Sequence, residues 1–230
     1  MVRKYFIILF AGVIAFGVFK IWEANHHYRQ SRQVSEYMQQ YRPAATVAGE
    51  FVNQSIVDAK VQYPDLIGWL YMHGTRIDYP FVQAADNDYY LRRNIDGEYA
   101  FAGTLFMDAG NDSGFGDFLT IIYGHNLENT TKFSDISRYD NADFFAQNTV
   151  GTIYLPYATY TLEIFAYMRI EESNRYIYGL QQPEETLEYI AQNAWRYRDI
   201  SVDTSDRIVV LSTCTRAYDT NRNVLIARLT

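Results

Sequence analysis

The chain has 230 residues, 48% hydrophobic and 20% charged, so it can bury the core of a folded domain and is not disordered throughout. Its net charge of −7 is uneven, because residues 1–30 contain four basic and one acidic residue and the remainder contains 16 basic and 26 acidic residues. Such an acidic body excludes nucleic acid as a partner, and a single Cys excludes a disulfide framework or a multi-cysteine zinc site.

An uncharged apolar run, YFIILFAGVIAFGVF at residues 5–19, lies near the start of the chain. A membrane-spanning helix needs about 20 mostly apolar residues, and snorkelling of Lys20 brings the run close to that length. Arg3 and Lys4 precede it, so the N-terminus is expected in the cytoplasm and the rest of the chain outside. A cleavable signal peptide is the alternative, but no small-x-small cleavage site follows. We predict a single-pass signal anchor of the cell membrane over 1–22.

A polar segment over 23–46 is predicted to be a juxtamembrane stalk, and residues 47–230 are predicted to form one folded domain. Apolar residues at helical spacing predict an amphipathic helix over 47–60. Two short helices are predicted within 132–147. A longer helix is predicted over 184–198, where Pro183 stands near the start and an apolar stripe follows.

The rest of the domain consists of short apolar segments separated by turn signals, a pattern typical of strands. Eight strands are predicted, at 67–72, 76–82, 104–108, 118–125, 151–157, 160–170, 207–214 and 223–229. The first two flank His73-Gly74-Thr75 and are predicted to form a hairpin. Because strand and helix do not alternate regularly, we expect a mainly β fold, an eight-stranded closed or nearly closed β-barrel with peripheral helices.

Three reactive side chains stand at predicted strand ends. Cys214 closes the strand IVVLSTC, Arg222 precedes the next strand, and His125 closes the strand TIIYGH. A thiolate is a strong nucleophile, an imidazole can protonate a leaving amine, and a guanidinium can bind an oxyanion. The alternative for Cys214 is a buried small hydrophobic residue. Arg228 is the alternative to Arg222, although it lies deep in the last predicted strand.

The motifs LSTC (211–214) and YGHN (123–126), with an Arg eight residues after the Cys, resemble the sortases, the cysteine transpeptidases of Gram-positive cell surfaces. The segment 77–108, IDYPFVQAADNDYYLRRNIDGEYAFAGTLFMD, is similar to class B sortases in particular, as is the helical insert before the Cys strand. The resemblance covers roughly residues 50–230, and it implies the sortase β-barrel for that part of the chain.

The resemblance implies a catalytic set of His125, Cys214 and Arg222, in which Cys214 is the nucleophile. It also implies contacts with a substrate peptide from five residues, which are Asn87, Leu91, Tyr176, Ile177 and Ser212. Tyr176 has a nearly equal alternative as a core or rim aromatic residue. We predict no cofactor and no metal, since the acidic loop DAGNDSGFGD (108–117) lacks the ligand spacing of a calcium loop and is interpreted as a solvated turn.

The function implied is cleavage of surface proteins at a C-terminal sorting signal of the type Asn-Pro-x-Thr, through a thioester acyl-enzyme. The acyl group is expected to pass to a cell-wall amine of peptidoglycan or lipid II. A pilus-polymerising sortase differs only in the amine, and a hydrolytic cysteine peptidase uses water instead. A non-catalytic β-barrel that binds wall glycans through its many tyrosines is the alternative from a different functional class.

Overall fold

Nine strands form one sheet in a computed structural model that describes residues 2–44, 52–126, 132–179, 182–214 and 220–230. In chain order the strands are β1 (Leu66–Met72), β2 (Asp78–Val82), β3 (Leu105–Met107), β4 (Leu119–Gly124), β5 (Val150–Leu155), β6 (Ala158–Glu171), β7 (Arg196–Tyr197), β8 (Arg207–Cys214) and β9 (Asn221–Leu229). All eight predicted strands are present, and so is the predicted hairpin between β1 and β2. Strand β7 has only two residues, too few for a sequence pattern to indicate.

The order of the sheet is β5-β1-β2-β3-β4-β8-β9-β6-β7, and β5 also pairs with β6. This second pairing closes eight strands into a barrel, as predicted, and β7 adds to one edge of β6. Most neighbouring strands are antiparallel, but β2–β3 and β4–β8 are parallel. The parallel pair β4–β8 matters most for the site, because it brings the C-terminal ends of two distant segments to the same rim.

Strand β8 shows why several strands are almost entirely apolar. Its residues Val209 and Leu211 belong to the hydrophobic cluster that includes Leu70 and Phe81 of β1 and β2. Its alternate residues Ile208 and Val210 belong to a second cluster, with Ile177 and Ile190 from two helices. Successive side chains of a strand point to opposite faces, so both faces of β8 are covered and both must be apolar.

Five α-helices are described, α1 (Val2–Met38), α2 (Gln54–Gln62), α3 (Ala142–Gln147), α4 (Arg175–Tyr178) and α5 (Pro183–Asn193). Helix α3 and the 3-10 helix Ser134–Asp140 match the two short helices predicted within 132–147. The helix predicted over 47–60 begins later, at Gln54, and its first five predicted residues lie outside the described residues. Asn53 precedes the helix, and its side chain donates hydrogen bonds to the carbonyl oxygens of Leu155 and Ala158.

Helix α5 is shorter than the predicted helix over 184–198, so the last five predicted residues are wrong. The Trp195 N–H donates to the carbonyl oxygen of Tyr167 in β6, and β7 then pairs with the same strand. The main-chain N–H groups of this segment therefore donate to the edge of β6 instead of to carbonyl groups of a longer helix. Trp195, which lies within the predicted helix but beyond the end of α5, is half exposed.

Helix α1 passes without a break through the predicted end of the signal anchor at residue 22. Its segment Lys4–Glu23 is long and apolar enough to cross a membrane. At its other end Met38 is buried against Trp69 and its neighbours on the barrel. Just beyond the helix, the Arg42 guanidinium forms an ion pair of 2.6 Å with Asp78, and the Trp69 indole N–H donates to the same carboxylate. The end of the predicted stalk is thus packed on the domain.

Candidate active site

The three predicted catalytic residues meet at one rim of the barrel. Gly124, the last residue of β4, lies opposite Thr213 in the parallel pair β4–β8, so His125 and Cys214 are the next residues on neighbouring strands. In the antiparallel pair β8–β9, Cys214 lies opposite Arg222. The structure describes the backbone of Cys214, and the position of this residue at the rim follows from the strand register.

A cleft of about 240 Å³ opens at this rim. Its lining includes five of the eight predicted site residues, which are Asn87, Leu91, His125, Ser212 and Arg222. The cleft is also lined by Asp88, Phe106, Tyr123 and Gly124. The cleft therefore has two sides. The 3-10 helix Tyr89–Arg92 and the two residues before it form one side, and residues from β4, β8 and β9 form the other.

His125 has a fixed tautomer. Its Nε2 lies 2.7 Å from the carbonyl oxygen of Leu91, and because a carbonyl only accepts, Nε2 carries the proton. Burial lowers the pKa of His125, and the positive charges of Arg92, Lys132 and Arg222 lower it further against the opposing effect of the Leu91 carbonyl. The imidazole is therefore neutral at pH 7, with Nδ1 as its basic nitrogen.

The Arg222 guanidinium is held by an acidic residue that the sequence pattern does not point to. Its Nη2 donates to a Glu172 carboxylate oxygen at 2.8 Å, and the Arg222 side chain stays 24% exposed. Arg228, the alternative, donates to Glu163 from two nitrogens and lies 3.8 Å from Asp206. It is paired with residue 208, near the opposite end of β8 from Cys214, so the fold brings Arg222 to the cleft and not Arg228.

Ser212 and Asn87 are both engaged in hydrogen bonds at the cleft. The Ser212 hydroxyl is 2.8 Å from the Tyr178 hydroxyl, and Ser212 itself is almost fully buried. Asn87 is exposed, but its amide bonds to the Asp108 carboxylate and to the Ala109 N–H. Asp108 is therefore more than part of a solvated turn, the interpretation that its loop sequence suggested.

Tyr176 and Ile177 do not line this cleft in the described structure. The Tyr176 ring stacks on Tyr189 at 4.5 Å between centroids and borders a separate hollow beside α5. Ile177 is fully buried in the hydrophobic core. Successive residues of a helix point about 100° apart, so within the single turn of α4 it is Tyr178 that reaches the site, stacking on Tyr123.

Sequence reasoning missed the aromatic residues of the cleft, although one signal was present. Tyr123 stands two residues before His125, and residues i and i+2 of a strand share a face. Phe106 lies opposite Tyr123 in the β3–β4 pair, and the two rings are 5.2 Å apart. The strand-end reasoning that selected His125 applies equally to Asp108, which follows β3 directly.

Comparisons with known proteins point to one family, although the chain matches no protein-family model. It is 32% identical to sortase B of Listeria monocytogenes in an alignment 229 positions long, which covers 95% of this chain and 92% of that protein. The crystal structure of sortase B from Bacillus anthracis superposes with a TM-score of 0.76 at 30% identity, covering 89% of this chain and 98% of that one.

A sortase B from the type II pilus of Streptococcus pneumoniae gives a TM-score of 0.64 at 35% identity, covering 75% of this chain and 97% of that one. The barrel, the similarity over nearly the whole chain and the likeness to these solved structures agree with one another. The chain belongs to the class B sortases, the cysteine transpeptidases of the cell surface.

Proposed function

We propose that this sortase cleaves surface proteins at a C-terminal sorting signal of the Asn-Pro-x-Thr type and transfers them to a cell-wall amine of peptidoglycan or lipid II. One observation carries the proposal, the strand register that sets Cys214 opposite Arg222 and beside the end of β4, where His125 follows. A nucleophile, a base and an oxyanion donor are what acyl transfer needs.

In the proposed first step, neutral His125 accepts the Cys214 proton at Nδ1, and the thiolate attacks the carbonyl carbon of the Thr. The Arg222 guanidinium stabilises the negative oxygen of the tetrahedral intermediate. The intermediate collapses, the C–N bond breaks, and the departing amine takes the proton from His125. A thioester on Cys214 remains.

In the second step an acceptor amine attacks the thioester. His125 removes its proton, Arg222 again stabilises the oxyanion, and the Cys214 thiolate leaves and is reprotonated. The product is a new amide bond between the surface protein and the acceptor. Both substrates would lie near the outer face of the membrane, and we propose that residues 1–22 anchor the enzyme there with the N-terminus in the cytoplasm. The stalk 23–46 would then join that anchor to the catalytic domain 47–230.

The test uses the full chain, purified in detergent, with a synthetic Asn-Pro-x-Thr peptide and an added amine. Mass spectrometry should find the N-terminal peptide fragment bound to Cys214 and then an amide with the amine. Cys214→Ala should give neither product and keep its melting temperature. Transpeptidation by Cys214→Ala at near the wild-type rate would remove the nucleophile assignment.

A pilus-polymerising function is the second candidate, favoured by the likeness to the sortase B from the type II pilus. It uses the same chemistry with a pilin lysine as the acceptor. Competition between a lysine-containing pilin peptide and a peptidoglycan stem peptide for the acyl-enzyme distinguishes the two. Release of the free acid, whatever amine is added, would instead indicate a hydrolytic peptidase. If alkylation of Cys214 has no effect on the function of the protein, a non-catalytic wall-binding barrel is favoured.

A further inference from the structure

The Asp108 carboxylate, at the end of β3, connects two residues of the active-site cleft. One of its oxygens accepts hydrogen bonds from the Tyr123 hydroxyl and from the Asn87 amide, both at 2.9 Å. Its other oxygen accepts from the Gly110 N–H at 2.9 Å. The Gln83 amide holds the Asp108 main chain by donating to its carbonyl oxygen at 2.8 Å.

These contacts fix the orientation of the Asn87 amide. A carboxylate only accepts hydrogen bonds, so the Asn87 nitrogen must face Asp108. The Ala109 N–H only donates, so the Asn87 oxygen must face Ala109, at 2.8 Å. An Asn amide turned by 180° would lose both bonds. One N–H of the Asn87 amide then remains to donate to a ligand in the cleft.

The same carboxylate fixes the polarity of Tyr123. The Tyr123 hydroxyl proton points to Asp108, so its oxygen is left as an acceptor. Burial and the neighbouring Asp108 charge raise the pKa of this hydroxyl, which keeps its proton in place. The Tyr123 ring is held by Phe106 on one strand and by Tyr178 from α4.

We propose that Asp108 is a positioning residue that sets which hydrogen-bonding groups the cleft offers to the substrate, an N–H donor at Asn87 and an oxygen acceptor at Tyr123. The inference rests on the proposed function. A peptide backbone carries carbonyl acceptors and N–H donors at fixed spacing, and it matches such a pair in one chain direction. Asp108 would thus help to orient the sorting peptide toward His125 and Arg222, which line the same cleft.

The test measures kcat and KM of the full chain with the Asn-Pro-x-Thr peptide for the wild type and for Asp108→Asn. We expect KM to rise about tenfold, the effect of losing one charge-assisted hydrogen bond, with kcat changed less than about twofold. Loss of an interaction that is equally strong in the ground state and in the transition state raises KM and leaves kcat unchanged. The rate of Cys214 alkylation by iodoacetamide should stay the same, because the reacting groups are not moved.

Asp112→Asn is the matched control. Asp112 lies in the same loop and accepts hydrogen bonds from the main-chain N–H groups of Gly114 and Gly116, so it tests loop stability alone. An equal rise in KM in this control would overturn the proposal. A double mutant tests the role through Asn87, since the rise in KM from Asp108→Asn should be smaller in an Asn87→Ala background, where only the contact with Tyr123 is left to lose. Full additivity of the two effects would contradict a role through Asn87.

The outcomes separate this inference from the proposed function. A wild-type chain that does not cleave the peptide overturns both. Wild-type cleavage with an unchanged KM in Asp108→Asn overturns the positioning role alone. If Asp108→Asn does not fold, Tyr123→Phe keeps the carboxylate and removes only the hydroxyl acceptor, and it should raise KM several-fold. An unchanged KM in a folded Tyr123→Phe variant would overturn the inference.

Discussion

The ion pair between Arg222 and Glu172 gives a quantitative test of how the proposed oxyanion donor is held. Glu172→Gln removes the charge and keeps the shape. The nitrogen–oxygen distance is 2.8 Å, but the two side chains are 24% and 52% exposed, so solvent screens the pair. The ion pair then contributes about 0.5–1 kcal/mol to holding the guanidinium in place. We therefore expect kcat/KM to fall about two- to fivefold, far less than the ~10²–10³ expected when an oxyanion donor is removed.

The assay is cleavage of a fluorogenic sorting peptide at about 0.1 M and about 1 M salt. The difference between Glu172→Gln and the wild type should shrink at high salt, where the screening length is about 3 Å. Glu171→Gln is the control, because Glu171 is the adjacent carboxylate and contacts Ser173 at 3.5 Å instead. Equal losses in both variants, or a gain of activity in Glu172→Gln, would refute the view that Glu172 holds the guanidinium in place for the reaction.

Three further outcomes are expected. Gly124→Ala should lower kcat/KM at least about tenfold, because a Cβ there would lie 2.7 Å from the Phe133 ring and displace the strand end before His125. Gly114→Ala, where a Cβ would have no contact under 3.4 Å, should have little effect, and similar losses in both variants would contradict this. Met38→Ala should destabilise the domain by about 2–5 kcal/mol in denaturant unfolding, and an unchanged midpoint would show that α1 does not pack on the barrel. The acid limb of the kcat/KM profile should lie below pH ~6.5, since His125 must be neutral to act as a base and its pKa is lowered; a midpoint above that value would contradict it.

The sequence was sufficient to predict where the strands lie along the chain, but not their order in the sheet. Apolar runs at 118–125 and 207–214 mark β4 and β8 wherever these strands lie in a sheet. Their parallel pairing joins segments almost 90 residues apart, and no local pattern encodes it. What sequence reasoning did supply is the position of reactive residues at strand ends. The antiparallel pairing of β8 with β9 puts Cys214 opposite Arg222, while the roles of these residues stay predictions.

Side-chain direction explains why two of the predicted substrate-contact residues do not line the cleft. Tyr176 and Ile177 stay predictions as substrate contacts, and in the structure they point to a neighbouring hollow and to the core. Helix α4 is a single turn whose start is set by Asn174, which accepts hydrogen bonds from the next N–H groups. A shift of one residue in that start turns every side chain by about 100°, so the choice of Tyr178 for the cleft depends on a cap that composition does not reveal.

The charges around His125 also indicate where the proton of the proposed reaction comes from. Arg92, Lys132 and Arg222 all disfavour the imidazolium, and burial disfavours it more strongly. His125 therefore begins the cycle neutral, and it becomes an acid only by taking the nucleophile's own proton. The positive charge that opposes the imidazolium favours the negative oxygen of the intermediate. Protonated His125 would then be a stronger acid than an ordinary imidazolium when the C–N bond breaks, and the proton that leaves with the amine would be the one that the thiol released.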